Sequence, residues 1–172
     1  IACRQAALEV ITKENDPEAW AQAHADLGLV WLDLPGGERD ENLAKAIECL
    51  KVALGVFALD DNPQRALGIQ VNLSWIQLLR QDYDGVLSVT AGVKDLPKPS
   101  LPLETNRAHA MLMLDRIDDA KEIYLGHIGE DVDGKRWEEV ILADFDALEA
   151  EGITHPQMKD LRAKLKSARS EK

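Results

Sequence analysis

From Pro17 to Leu34 apolar residues recur every three or four places, at Trp20, Leu27, Val30, Trp31 and Leu34, while Leu29 and Leu32 widen the stripe. That spacing predicts a helix covered on two faces. Asp16-Pro17-Glu18 is its start signal: a capping acceptor, a proline whose missing N–H costs nothing in the first turn, and an acid at the positive helix end. Pro35-Gly36-Gly37 breaks the helix, and Asp40 is expected to cap a second one that ends near Leu59. Leu43, Ala46, Ile47, Leu50, Ala53, Leu54 and Phe57 supply its apolar face.

A second pair opens at Asn62-Pro63, runs through the nearly all-apolar Ile69–Leu79, and turns at Gln81-Asp82 into a short helix from Tyr83 to about Val93. Lys94–Pro102, with three prolines, reads as a connector. A third pair follows over about Leu103–Leu114 and Asp118–His127, with Asp115 or Ile117 at the junction. The pairs repeat. A shift of 46 residues superposes Ile1 on Ile47, Cys3 on Cys49, Ala7 on Ala53, Leu8 on Leu54, Val10 on Val56, Pro17 on Pro63, Leu27 on Leu73 and Leu32 on Leu78. Self-similarity at a fixed offset is the mark of a repeat architecture, and these identities fall on the positions that set helix packing and helix start.

Beyond residue 128 the period fails. Gly129–Gly134 reads as a polar loop, and Trp137, Val140, Ile141, Phe145 and Leu148 form one stripe on a helix ending before Gly152. Thr154-His155-Pro156-Gln157 reads as a capping box for a last, basic helix. Stacked arrays need a terminal element with a polar outer face, and this segment suits that role. Residues 118–151 carry twelve acids against Lys121, Lys135 and Arg136, whereas Lys159–Lys172 is basic, so the last helix is expected to lie on the acidic segment before it.

At these residues the sequence resembles the tetratricopeptide repeat, a helix-turn-helix unit of 34 residues with a Leu-Gly, an aromatic and small residues at fixed places. Leu27-Gly28 and Trp31 resemble the first-helix elements, and Ala46 and Ala53 the small residues of the second helix. In the second unit Leu73-Ser74, Gln77, Tyr83, Val86 and Val93 take these places. In the third, Ala108, Met111, Ala120 and Tyr124 are kept, but Arg107 stands where Leu is expected. The long form, with Asn-Asp-Pro-Glu-Ala-Trp-Ala at 15–21 and Leu-Pro-Gly-Gly at 34–37, looks like bacterial arrays attached to caspase-like peptidase or other effector domains.

The resemblance implies an all-α fold: a right-handed superhelical solenoid of antiparallel helix pairs over 1–128, its first repeat truncated, followed by capping helices over 129–172. It also implies a scaffold without catalytic activity that binds a protein or peptide on the concave face, through the residues flanking the signature Leu of each first helix. Those are Asp26 and Leu29, Asn72 and Trp75, and Asn106 and His109. The alternative is a regulatory or sensor region of a larger multidomain effector. Because Ile1–Ile11 reads as a helix in full course, the chain is expected to be a fragment, with an apolar face there open to self-association.

Composition narrows the classes further. A net charge of −11 opposes nucleic-acid binding, which needs clustered Lys and Arg. No apolar run approaches the roughly 20 residues of a membrane span, and the first residues lack a secretory signal pattern, so a cytoplasmic location is the default. The two cysteines, Cys3 and Cys49, form no metal-type pair, and His24, His109, His127 and His155 show no i, i+4 pairing, so neither a metal nor a cofactor is expected. Asp131-Val132-Asp133-Gly134 fails as a calcium loop, because Gly129 and Val140 would fall at its first and twelfth ligand places. Asp118-Asp119 and Glu138-Glu139 are explained by helix dipoles, and Pro35-Gly36-Gly37 lacks the Gly-Lys-Ser/Thr of a phosphate loop.

Overall fold

The computed structural model describes residues 8–34, 38–57, 63–92 and 100–170. The chain divides into two compact units, one ending at Arg80 and the other beginning at Gln81. Apart from turns and one two-residue hairpin the regular structure of the described residues is helical, so the class is all-α. The expectations placed on Cys3, on the start of Ile1–Ile11, on Pro35-Gly36-Gly37, on the second helix beyond Phe57, on Asn62 and on most of Lys94–Pro102 lie outside the described residues.

The first unit holds α1 (Pro17–Asp33), α2 (Arg39–Phe57) and α3 (Pro63–Leu79). α1 starts as its sequence directs, the Asp16 carboxylate accepting the Ala19 N–H at 3.0 Å. α2 does not use Asp40 as its cap, because that residue already lies in the first turn. Its carboxylate takes a two-bond ion pair from the Arg80 guanidinium, at 2.9 and 3.2 Å. α1 packs on α2, α2 packs on α3, and α1 also touches α3.

Leu27, Leu50, Phe57, Leu73 and Ile76 fill the core of this unit, with Ala21, Ala46 and Ala53 where the backbones come together. Gly28 marks the closest approach. A Cβ built there would meet Leu50 Cγ at 3.0 Å and the Ala46 carbonyl oxygen at 3.2 Å. Cys49 sits half-buried, and burial pushes its thiol above the usual range, as befits a small apolar residue.

His24, one turn before Gly28, stacks edge-on against Trp20 at 4.4 Å, and its Nδ1 is buried with no hydrogen-bond partner. Burial lowers its pKa below 6.5, against the opposing field of Glu48. The unfolded chain therefore takes up the proton first as pH falls, so stability is fully present above about pH 6.5 and declines below it. Urea midpoints measured at neutral pH and near pH 5.5 should accordingly differ less in His24→Gln than in the native chain. Equal differences would show that His24 does not contribute to the slope.

The second unit holds α4 (Tyr83–Val89), α5 (Leu101–Met113), α6 (Ile117–Gly126), β1 (Asp131–Val132), β2 (Lys135–Arg136), α7 (Trp137–Ala150) and α8 (Met158–Ser170). α4 begins at Tyr83, after the turn expected at Gln81-Asp82, with Asp82 accepting from Gly85 N at 3.0 Å, and it ends at Val89, earlier than expected. Thr90 closes it by donating its hydroxyl to the Val86 carbonyl at 2.8 Å. α5 starts two residues earlier than expected, since Pro102 is tolerated in a first turn. The segment expected as a loop folds into an antiparallel ribbon, Asp131 opposite Arg136, with Asp133 (φ 52°) and Gly134 (φ 83°) at its tip. Asp-Gly with both φ positive is the chemistry of a two-residue hairpin turn, a signal present in the sequence.

α5, α6, α7 and α8 share one core, with Leu112, Tyr124, Trp137, Phe145, Leu161 and Leu165 at its centre. That core runs across the boundary expected at 128/129. α8 begins at Met158, and His155 Nδ1, not the Thr154 hydroxyl, accepts the Gln157 N–H at 3.2 Å. The basic helix does lie on the acidic one. Arg162 pairs with Asp146 at 2.7 Å and Glu149 at 2.9 Å, and its guanidinium stands 5.4 Å from the Phe145 ring centre.

Candidate functional site

The residues expected to line a binding face are distributed unequally in depth. Asp26 and Leu29 on α1 and Asn72 and Trp75 on α3 are half-buried, so each pair presents part of its surface. Asp26 accepts a hydrogen bond from Gln22 one turn earlier, at 2.9 Å. α1 and α3 touch within the first unit, which sets these two pairs on neighbouring helices.

Asn106 and His109 on α5 are buried instead, at 4% and 0% exposure. His109 is enclosed by Tyr124 of α6 and by Phe145 and Asp144 of α7, with ring-centre separations of 5.6 Å to Tyr124 and 5.5 Å to Phe145. Its Nδ1 lies 2.7 Å from the Tyr124 hydroxyl and its Nε2 3.3 Å from the Asp144 carboxylate. Asp144 only accepts when ionised, so in the neutral ring Nε2 donates to it and Nδ1 accepts from Tyr124. Burial first, and the Asp144 charge second, hold the Tyr124 phenol well above 10. The face of α5 expected to be open is thus covered by α7, and periodicity alone does not say which neighbour covers a helix face.

On nearly the opposite side of α5, at 3.6 residues per turn, stand Glu104, Arg107 and Met111. With Arg116, Asp119, Glu122 and Ile123 from α6 and its start, they line a cleft of about 340 Å³ that ends at Gly126 and His127. This volume lies at the lower end of small-ligand sites, which run about 300–1,000 Å³. Arg107 and Glu104 form its floor with side chains only 12% and 10% exposed. They face each other at 3.6 Å, beyond hydrogen-bond length, and Arg107 Nη1 and Glu104 Oε2 are both buried without a hydrogen-bond partner. Buried polar groups are normally satisfied, so this pair is incompletely served by the protein around it.

At the rim, Arg116 and Asp119 pair at 2.7 Å, and His127 meets Glu130 at 3.0 Å. The sequence did carry a signal for the site. Leu27 and Leu73, the residues with which the sequence resemblance aligns Arg107, are buried and apolar at 5% and 1% exposure, so a guanidinium there departs from the expected pattern.

Among the described residues no three His, Cys, Asp or Glu side chains are grouped so as to hold a metal ion, and no helix is long and apolar enough to cross a membrane. The cleft offers carboxylates and guanidiniums, groups suited to recognising charge and hydrogen-bonding pattern. Comparison of the chain with protein-family models, with curated proteins and with solved structures finds no match.

Proposed function

We propose that this chain is an interaction scaffold of tetratricopeptide type that binds a protein or peptide partner and carries out no reaction of its own. One observation carries the reading: α1 and α3, the first helices of successive pairs, touch each other and leave Asp26, Leu29, Asn72 and Trp75 half-buried. An aromatic ring beside an amide suits a peptide, because the ring contributes apolar area while the amide both donates and accepts along a backbone. Support for the repeat itself comes from Gly28, whose position in the Leu-Gly pair coincides with the close approach of α1 to Ala46 and Leu50 of α2.

The test uses a partner recovered by affinity capture and then purified for titration. Trp75→Ala combined with Asn72→Ala should weaken that complex at least about thirtyfold, the size of an interface hot spot of 2 kcal/mol. The helical circular dichroism should be unchanged. Undiminished affinity in a folded double variant would remove α3 from the binding surface and with it the present reading.

A further inference from the structure

We infer that the cleft between α5 and α6 receives one basic side chain, an arginine or lysine, of a bound polypeptide. The inference rests on the scaffold reading and specifies the chemistry of one subsite within it.

Charge decides the class of ligand. The cleft presents three carboxylates, Glu104, Asp119 and Glu122, against two guanidiniums, Arg107 and Arg116. Arg116 serves Asp119 at 2.7 Å, and Arg107 faces Glu104 at 3.6 Å. Among the described residues no cation pairs with Glu122, which is exposed. One incoming cation brings the count to three against three. An anion would make it four against two, beside residues 118–151, which carry twelve acids against three bases and supply Asp119 and Glu122 to the cleft. The acidic setting also raises the local concentration of cations before contact.

Shape agrees with charge. Met111 and Ile123 give the cleft apolar walls, which a long aliphatic stem covers while its charged head stays among polar groups. A volume of about 340 Å³ is suited to one such side chain with its backbone. Beneath these walls Glu104 and Arg107 hold each other as a loose, largely buried ion pair at 3.6 Å, so the exposed Glu122 carboxylate is the group left to meet an incoming cation.

The experiment reads the cleft directly, without any cellular partner. A fluorescein-labelled peptide Gly-Gly-Arg-Gly-Gly is titrated with the full chain at low salt by fluorescence anisotropy, beside the same peptide carrying citrulline, the neutral isostere of arginine. Saturable binding of the arginine peptide is expected, tighter than citrulline by about fivefold or more. The preference should disappear in Glu122→Gln, a substitution at an exposed position that leaves circular dichroism unchanged. It should also fade near 1 M salt, where the screening length falls to about 3 Å. Glu104→Gln, checked for folding in the same way, should weaken the arginine peptide as well.

No saturable binding, equal binding of the two peptides, or an arginine preference that survives Glu122→Gln would each overturn the assignment. If the peptides fail while partner binding still depends on Asn72 and Trp75, the cleft is discarded and the scaffold reading stands. If the peptides bind as expected while that dependence is absent, the scaffold surface on α3 is what falls.

Discussion

Trp137→Ala should destabilise the second unit by about 3–5 kcal/mol, the range for removing a large aromatic from a packed core. Trp137 is fully buried, and its place in the structure is fixed from three directions. Its indole N–H donates to the Tyr124 carbonyl at 2.8 Å, its own backbone N–H donates to the Glu130 carbonyl at 2.8 Å, and its ring meets His127 edge-on at 5.0 Å. Truncation therefore leaves a cavity against α6 and also strips a donor from the Tyr124 carbonyl. Trp137→Phe separates the two effects, since it keeps most of the apolar volume and loses the hydrogen bond, for an expected cost of about 1–3 kcal/mol. Urea unfolding followed by circular dichroism measures both. Hydrogen exchange should place the loss in α5 to α8. A change below about 1 kcal/mol for the alanine variant would mean that α7 does not pack as described, because an unpacked surface residue gives values of that size.

Gly28→Val should destabilise the first unit by about 2–3 kcal/mol, the cost of forcing extra methyl groups into a filled contact. The first added carbon already meets Leu50 Cγ at 3.0 Å and the Ala46 carbonyl oxygen at 3.2 Å, and the backbone oxygen has nowhere to go without moving α2. Gly28→Ala should be milder, since up to about 1 kcal/mol of helix propensity offsets part of the crowding. Gly68 in α3 is the internal control. Nothing lies within 4 Å of a Cβ built there, so Gly68→Ala should gain about 0.5–1 kcal/mol. Thermal unfolding of the three variants would test the contact, and a stabilised Gly28→Val would show that α1 and α2 do not approach closely at that residue.

Gly28 also illustrates what a linear pattern conveys. Leu27-Gly28, Ala46 and Ala53 are recognisable as packing positions in the sequence, and Leu27, Gly28, Ala46 and Ala53 are all buried. The start of α1 at Asp16-Pro17 was legible for the same reason: capping is settled by neighbours within one turn. Asp40 shows the limit, because its partner Arg80 lies forty residues away and only the packed unit brings the two together. The Asp133-Gly134 turn was legible in principle, yet the flanking strands are two residues each, too short to announce themselves by alternation.

The candidate site divides along the same line. Arg107 stands out in the sequence as a charge at an apolar place, but nothing there indicates that Glu104 and Arg107 face each other at 3.6 Å on the floor of a cleft. Nor does the sequence indicate that Asn106 and His109 on the other side of α5 are buried, His109 beneath Phe145 and Asp144. By itself the sequence determined the all-α class, the places where most helices begin, and the docking of a basic last helix on an acidic one, because these follow from spacing of 3.6 residues, local caps and net charge. Only the tertiary structure decided which helix faces are covered and which polar groups are left incompletely paired, because burial depends on a neighbour's position, a quantity set by long-range packing and absent from any single stretch of chain.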